Sequence, residues 1–173
     1  MNRNDPKKGP VKFTGKMENV SLFVDVQNIY YTTRSAFGRN FDYNQFWARV
    51  TAGRNVVNAY AYAIDRGNEK QRQFQNILRA IGFQVRLKPY IQRADGSSKG
   101  DWDVGIAVDM MELAAESDVM VLASGDGDFD FLVEKIKSKY ATPVEVYGVR
   151  KLTAVSLINA ASCYTPIESS LLL

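Results

Sequence analysis

Apolar positions along the chain fall into short blocks separated by polar and glycine-containing breaks, and the period changes from block to block. Residues 19–26 (NVSLFVDV) form a short apolar run that ends in an acid, the pattern of a buried strand. Residues 41–50 place Phe46, Trp47 and Val50 on one side of a predicted helix. Residues 55–64 (NVVNAYAYAI) read as a second buried strand. Residues 69–81 carry Phe74, Ile77, Leu78 and Ile81 at i, i+3, i+4 and i+7, with Arg and Gln on the opposite face, so the spacing predicts a helix that Gly82 stops. Phe83, Val85 and Leu87 alternate through a third strand over 83–90, and a loop over 93–100 follows.

The second half repeats the alternation. Residues 103–115 form a predicted helix with Val104, Ala107, Val108 and Met111 on one face. Residues 119–123 (VMVLA) are a fourth strand, followed by the turn sequence Ser124 to Asp130 (SGDGDFD) and a helix reaching about Tyr140. A fifth strand at 143–147, a helix at 152–161 and a short sixth strand near Tyr164 complete the pattern. Strands that are continuous apolar runs, alternating with helices, predict a doubly wound α/β sandwich: one domain around a mainly parallel sheet of five or six strands. The expected boundaries are a flexible basic tail at 1–18, the folded domain at 19–168 and a C-terminal tail at 169–173.

Composition narrows the chemistry. The 173 residues are 46% hydrophobic and 24% charged, a globular balance. No apolar run approaches the ~20 residues that span a bilayer, and the basic start lacks the apolar core of a secretory signal. A single cysteine, Cys163, forms no intramolecular disulfide, and a cytoplasmic location is the expectation. Histidine is absent. That removes Ser-His-Asp and Cys-His catalysis and histidine-ligated zinc, so any chemistry rests on carboxylates, lysines, hydroxyls or oxygen-liganded metals.

The net charge of +3 hides a strong asymmetry. Residues 1–94 carry 16 basic against 6 acidic side chains, residues 95–134 carry 1 against 11, and residues 135–173 carry 5 against 2. An acidic block inside basic sequence is either a solvated helix face or a carboxylate cluster that holds cations within a surface attracting a polyanion.

In a doubly wound sheet the ligand site lies beyond the carboxyl ends of the strands, at the switch point. Asp25 ends the first strand, Asp126 and Asp128 follow the fourth, and Asp101 and Asp103 open the helix leading into the fourth. These acids converge if strands one and four are neighbours. Asp103 and Asp128 could instead cap their helices, whereas Asp25 has no evident local capping role. Two carboxylates ~4 Å apart repel by about 4 kcal/mol at an effective dielectric near 20. A cluster of three or four therefore needs a cation or raised pKa values. The fitting ion is hard and oxygen-loving, Mg²⁺ or Mn²⁺, and its natural reaction through an activated water is phosphodiester hydrolysis.

Rival motifs fail. The Asp126-Gly127-Asp128 start mimics an EF-hand loop, but Phe131 occupies the glycine position and Lys137 the closing glutamate position. There is no Walker A sequence, the Gly125-Asp126-Gly127 turn lacks a third dinucleotide-fingerprint glycine, and Asp25 has no second acid two residues on, as an aspartyl phosphatase would.

Three motifs in order, Phe23-Val24-Asp25-Val26-Gln27-Asn28-Ile29, Lys99-Gly100-Asp101-Trp102-Asp103-Val104 and Ser124-Gly125-Asp126-Gly127-Asp128-Phe129, resemble the NYN domain in its LabA-like branch. This is a relative of the PIN and FLAP nuclease folds, and the resemblance spans roughly residues 19–168. It implies a PIN-like α/β/α fold, a Mg²⁺ or Mn²⁺ site and ribonuclease activity. Carried over residue by residue, Asp25, Asp103, Asp126 and Asp128 are the implied metal-binding acids, and Asn28 the asparagine orienting a carboxylate, water or phosphate. Ser124, Asp101 and Asp130 stand behind them.

For RNA, Tyr30, Tyr31 and Arg34 combine stacking surface with positive charge. Phe37 and Phe41 are expected to pack against the 41–50 helix. Lys99, the one cation within the acidic motifs, either holds a phosphate or offsets Asp101. Lys7, Lys8, Lys12 and Lys16 either attract the backbone or solubilise a tail. Asp109, Glu112 and Glu116 read as a solvated face, with Asp109 turned away from Asp103. The leading expectation is a metal-dependent ribonuclease. The alternatives are a non-catalytic RNA- or protein-binding regulator and a metal-dependent nucleotide phosphatase. The sequence leaves a homo-oligomer open and identifies no protein partner.

Overall fold

A computed structural model describes residues 15–96 and 98–173, apart from the side chains of Ser98 and Lys99. Most of the predicted tail at 1–18, including Lys7, Lys8 and Lys12, lies outside the described residues, whereas Glu18 already belongs to the sheet. The chain runs β1 (Glu18–Asp25), α1 (Val26–Phe37), α2 (Tyr43–Thr51), β2 (Arg54–Asp65), α3 (Glu69–Ile81) and β3 (Gln84–Pro89). It continues through β4 (Ile91–Gln92), β5 (Ser98–Lys99), α4 (Asp103–Leu113), β6 (Val119–Ala123), α5 (Asp130–Tyr140), β7 (Val144–Gly148), α6 (Val155–Ala160) and β8 (Cys163–Pro166).

Six strands form one parallel sheet in the order β3-β2-β1-β6-β7-β8. The first and fourth predicted strands, β1 and β6, are thus neighbours, and the strand order reverses between them. That reversal opens a crevice at the carboxyl edge.

The apolar runs resolve into period-2 alternation because each sheet face carries its own core. Val20, Leu22 and Val24 of β1, with Val121 and Ala123 of β6, pack beneath α1–α3 with Ile29, Phe46 and Leu78. Phe23, Tyr62, Met120 and Leu122 pack on the other face with Ile106, Met110 and Ile136 of α4 and α5.

Several elements depart from the pattern reading. Helix α1 has no counterpart in it. Its buried stripe is Val26, Ile29 and Thr33, and the Thr33 hydroxyl donates to the Ile29 carbonyl at 2.7 Å, so a polar residue completes the apolar face. Gly38, at φ 63°, ends the helix in the left-handed region. The expected loop at 93–100 contains one arm of a small antiparallel pair, β4 with β5.

In α4 the predicted stripe is only half right: Ala107 and Met111 are partly buried against the core, at its margin. Ile106 and Met110 face the core, while Val104 is 73% and Val108 58% exposed. This helix is apolar nearly all round, so its period does not identify the inner face. Phe41 is buried as expected, but Phe37 is exposed.

The predicted C-terminal tail is instead docked. Leu171 and Leu172 are buried in the core, Asp42 N donates to Leu171 O at 2.8 Å, and Leu172 bridges to Phe41. Asp109 is not a freely solvated acid either. It accepts from the Tyr62 hydroxyl at 2.7 Å and pairs with Arg86 at 3.4 Å. Among the described residues no helix is long and apolar enough to cross a membrane.

Candidate metal centre

The acids gather at the crevice because each sits where an element begins or ends. Asp25 is the last residue of β1 and the N-cap of α1. Its Oδ1 accepts from Asn28 N at 3.4 Å, so the capping role missing from the sequence reading is present. Its Oδ2 accepts from the buried Ser124 hydroxyl at 3.0 Å. Ser124 Oγ in turn accepts from Asp126 N at 3.2 Å, and Asn28 Oδ1 accepts from Gly125 N at 2.8 Å. The end of β1 is thereby stitched to the turn after β6.

That turn requires glycine. A Cβ on Gly125 would stand 2.7 Å from Leu152 O, and one on Gly127 would stand 2.7 Å from Ala154 Cβ. Asp126 closes the turn by accepting from Asp128 N at 3.0 Å.

The remaining acids are held from α4. Trp102 Nε1 donates to Ala63 O at 2.8 Å and fixes the start of the helix against β2. Asp101 Oδ1 accepts from Asp103 N at 3.2 Å. Neither Asp103 nor Asp128 caps a helix through its own side chain: the flanking N-caps, Trp102 and Phe129, make no side-chain capping bond. Their carboxylates face the crevice, where one oxygen each from Asp103, Asp126 and Asp128 lie within 4.8 Å of one another. Asp25 stands beside this triad and is not one of its three. Asp130 is half-buried at the start of α5, and its carboxylate accepts from Phe131 N.

The electrostatics match a cluster short of positive charge. Burial, followed by the negative charges of Asp126, Asp101 and Asp25, pushes the Asp103 carboxyl up to about 7, and a hydrogen bond with Asp126 adds to the rise. Burial also pushes Asp25 up to about 6, against the lowering effect of its bonds from Ser124 and Asn28. Both shifts favour the protonated forms, and a bound cation would lower both. The donors are all carboxylate oxygens, which suit a hard divalent cation and not a soft one.

A cation beside these acids escaped the sequence reading. Lys88, near the end of β3, donates from Nζ to Asp101 O at 3.1 Å and lies 4.3 Å from the centre of the Trp102 ring. Its sequence signal was its place near the end of a parallel strand, which puts it close to the same sheet edge as Asp25. The Lys99 side chain lies outside the described residues. Tyr30 and Tyr31 are each 52% exposed on α1 and meet edge to face, and Arg34 donates to Gly38 O at 3.1 Å.

A six-stranded parallel sheet with acids at its switch point is the architecture of PIN-like nuclease folds, and the chain belongs to the NYN domain family, whose model matches residues 19–168. It is 30% identical over 159 residues to the low amplitude and bright protein LabA of Synechococcus elongatus, covering 86% of this chain and 83% of that protein. It is also similar to the crystal structure of a Vibrio parahaemolyticus protein of unknown function. That match has a TM-score of 0.87 and 54% identity, and it covers 91% of this chain and 97% of the other.

Proposed function

We propose that this protein is a divalent-metal-dependent ribonuclease that hydrolyses RNA phosphodiester bonds at the Asp103–Asp126–Asp128 triad. The observation that carries the reading is the convergence of three carboxylate oxygens within 4.8 Å at the carboxyl edge of the sheet, with one of the three acids, Asp103, pushed up to about 7 and the adjoining Asp25 to about 6. Membership of a family with a nuclease-like fold supports it.

Asp103, Asp126 and Asp128 are the residues that would hold Mg²⁺ or Mn²⁺, with Asp25 beside them. Such an ion, when bound, supplies water activation and polarises a phosphoryl oxygen. The chain's own contribution is to hold the acids ready. Ser124 ties Asp25 to the Asp126 turn, and Asn28 acts as a positioning residue by fixing Gly125. Asp101 and Asp130 set the starts of their helices. Tyr30, Tyr31 and Arg34 offer stacking and charge on α1, and the fold needs no second subunit to assemble the triad.

The test is labelled single-stranded RNA incubated with the protein in Mn²⁺, in Mg²⁺ and in EDTA, beside Asp126→Asn. Cleavage that needs the metal and is lost in the variant is the expected result. Intact RNA with the wild type, or equal cleavage by the variant, overturns the reading. RNA retained on a filter without turnover would identify a binding regulator, and phosphate released from mononucleotides alone would identify a phosphatase.

A further inference from the structure

A second feature adjoins the acids. Strands β2 and β3 end side by side, with Asp65 paired to Pro89, and Tyr90 N donates to Asp65 O at 3.0 Å. This brings the next residue of each segment together: the Arg66 guanidinium lies 4.4 Å from the centre of the Tyr90 ring. Tyr90 remains 38% exposed. Between it and the acids lies a cleft of about 180 Å³ lined by Gln27, Ile64, Tyr90, Gly100 and Asp101. Lys88, bonded to the Asp101 carbonyl, supplies a cation at the acidic end.

The cleft also meets α1. Gln27 lines it, and Tyr30, Tyr31 and Arg34 follow Gln27 at i+3, i+4 and i+7, one face of that helix. An exposed aromatic surface therefore continues outward from the cleft.

Physical chemistry selects the occupant. A polyanion is repelled by the carboxylates and needs flanking positive charge to approach them. Arg66, just past β2, and Lys88, near the end of β3, provide that charge beside the cleft. An aromatic ring backed by a guanidinium suits the face of a nucleobase and the charge of its phosphate. The volume falls below the ~300–1,000 Å³ of pockets that engulf a free small molecule. An open cleft of this size fits one unit of a longer chain.

We infer that this cleft is a base-stacking subsite: Tyr90 stacks an unpaired nucleobase of single-stranded RNA while Arg66 and Lys88 hold the adjoining phosphates. The inference rests on the ribonuclease reading for the identity of the polymer, and it makes that reading specific for unpaired strands. A base inside a duplex is stacked on both faces and has none to offer Tyr90.

The test measures binding and cleavage separately on the full chain. Binding of a fluorescent single-stranded oligoribonucleotide and of its duplex is followed by anisotropy in EDTA, across a salt series. Cleavage is followed in Mn²⁺. Tyr90→Ala is expected to weaken single-strand binding by roughly 5- to 150-fold, the range for losing one stacked base, while Tyr90→Phe binds like the wild type. Arg66→Ala and Lys88→Ala each lower the slope of log affinity against log salt by about 0.7. Arg79→Ala, on the outer face of α3, leaves both unchanged. Thermal melts of every variant separate lost binding from lost folding.

Wild-type binding that weakens in Tyr90→Ala without any cleavage supports the subsite and rejects the nuclease reading. Cleavage and binding that survive Tyr90→Ala at wild-type affinity reject the subsite and leave the nuclease reading standing. Duplex bound as tightly as single strand also overturns the subsite.

Discussion

Replacing Asp103 with Asn should stabilise the metal-free protein at alkaline pH while removing its response to a divalent cation. Burial and the neighbouring charges push the Asp103 carboxyl from 3.8 up to about 7. A carboxyl raised in the folded state favours folding when protonated and opposes it when ionised. Its stabilising influence is complete below about 4, where both states are protonated, and is lost as pH rises toward 7. Full conversion of that difference gives about 4 kcal/mol. Asp103 is partly open to solvent, and screening reduces the figure to about 1–2 kcal/mol. Asn keeps the size of the side chain and a donor for Asp126 but carries no charge. In EDTA at pH 8, Asp103→Asn should melt about 2–8 °C above the wild type, given about 2–4 °C per kcal/mol for a chain of this size. At pH 4 the two melting temperatures should converge. Mn²⁺ at a hundred times its dissociation constant should then stabilise the wild type by about 2.7 kcal/mol and the variant far less. Calorimetric or circular-dichroism melts across pH, with and without Mn²⁺, read all three effects. A variant less stable than the wild type at pH 8 in EDTA, or a difference independent of pH, would refute the reasoning.

Mn²⁺ affinity measured by calorimetry should rise steeply between about pH 5.5 and 7.5, as Asp25 (about 6) and Asp103 (about 7) lose their protons; a flat profile would count against cation capture by this cluster. Asp126→Asn should keep the turn onto Asp128 N, because an amide oxygen also accepts there, and should lose cation affinity; Asp126→Ala should lose both and cost a further ~0.5–2 kcal/mol in urea unfolding. Gly125→Ala places a methyl 2.7 Å from Leu152 O, so it should destabilise by about 1–3 kcal/mol and impair cation binding without touching an acid. Leu171→Ala should cost about 2–4 kcal/mol in the same unfolding assay, because its side chain is completely buried.

The fold was legible wherever the buried side chains are apolar and the period is sharp. Strand β6 and helix α3 fall at residues 119–123 and 69–81, the bounds read from the pattern. Legibility failed where a polar group does the work of an apolar one or where apolar residues spread beyond the buried face. Thr33 hides α1 because its hydroxyl is satisfied inside its own helix. The inner face of α4 is hidden because Val104 and Val108 are as apolar as Ile106 and Met110. Leu171 and Leu172 read as a tail because their partners, Phe41 and Asp42, lie some 130 residues away in sequence. Lys88 escaped notice for the same reason: its proximity to Asp101 is created by the sheet edge and not by a motif.

The choice posed by the sequence, between an acid that caps and an acid that binds, dissolves in the structure. A carboxylate has two oxygens, and a backbone amide occupies only one lone pair of one of them. Asp25 and Asp126 each spend one oxygen on a main-chain N–H at an element start, and that bond fixes the direction of the rest of the group. Asp101 does the same for Asp103 N and so sets the backbone from which Asp103 projects. Capping therefore orients the cluster. Burial, with the neighbouring negative charges behind it, keeps the Asp25 and Asp103 carboxyls raised despite these amide bonds. The switch point between β1 and β6 supplies the geometry: two neighbouring strand ends and one helix start deliver acids from three separated segments to one crevice. The turn after β6 supplies two of the three acids, Asp126 and Asp128, and the start of α4 brings the third. Carboxylates held together against mutual repulsion, by bonds that leave their outward lone pairs open, are the arrangement a divalent cation completes.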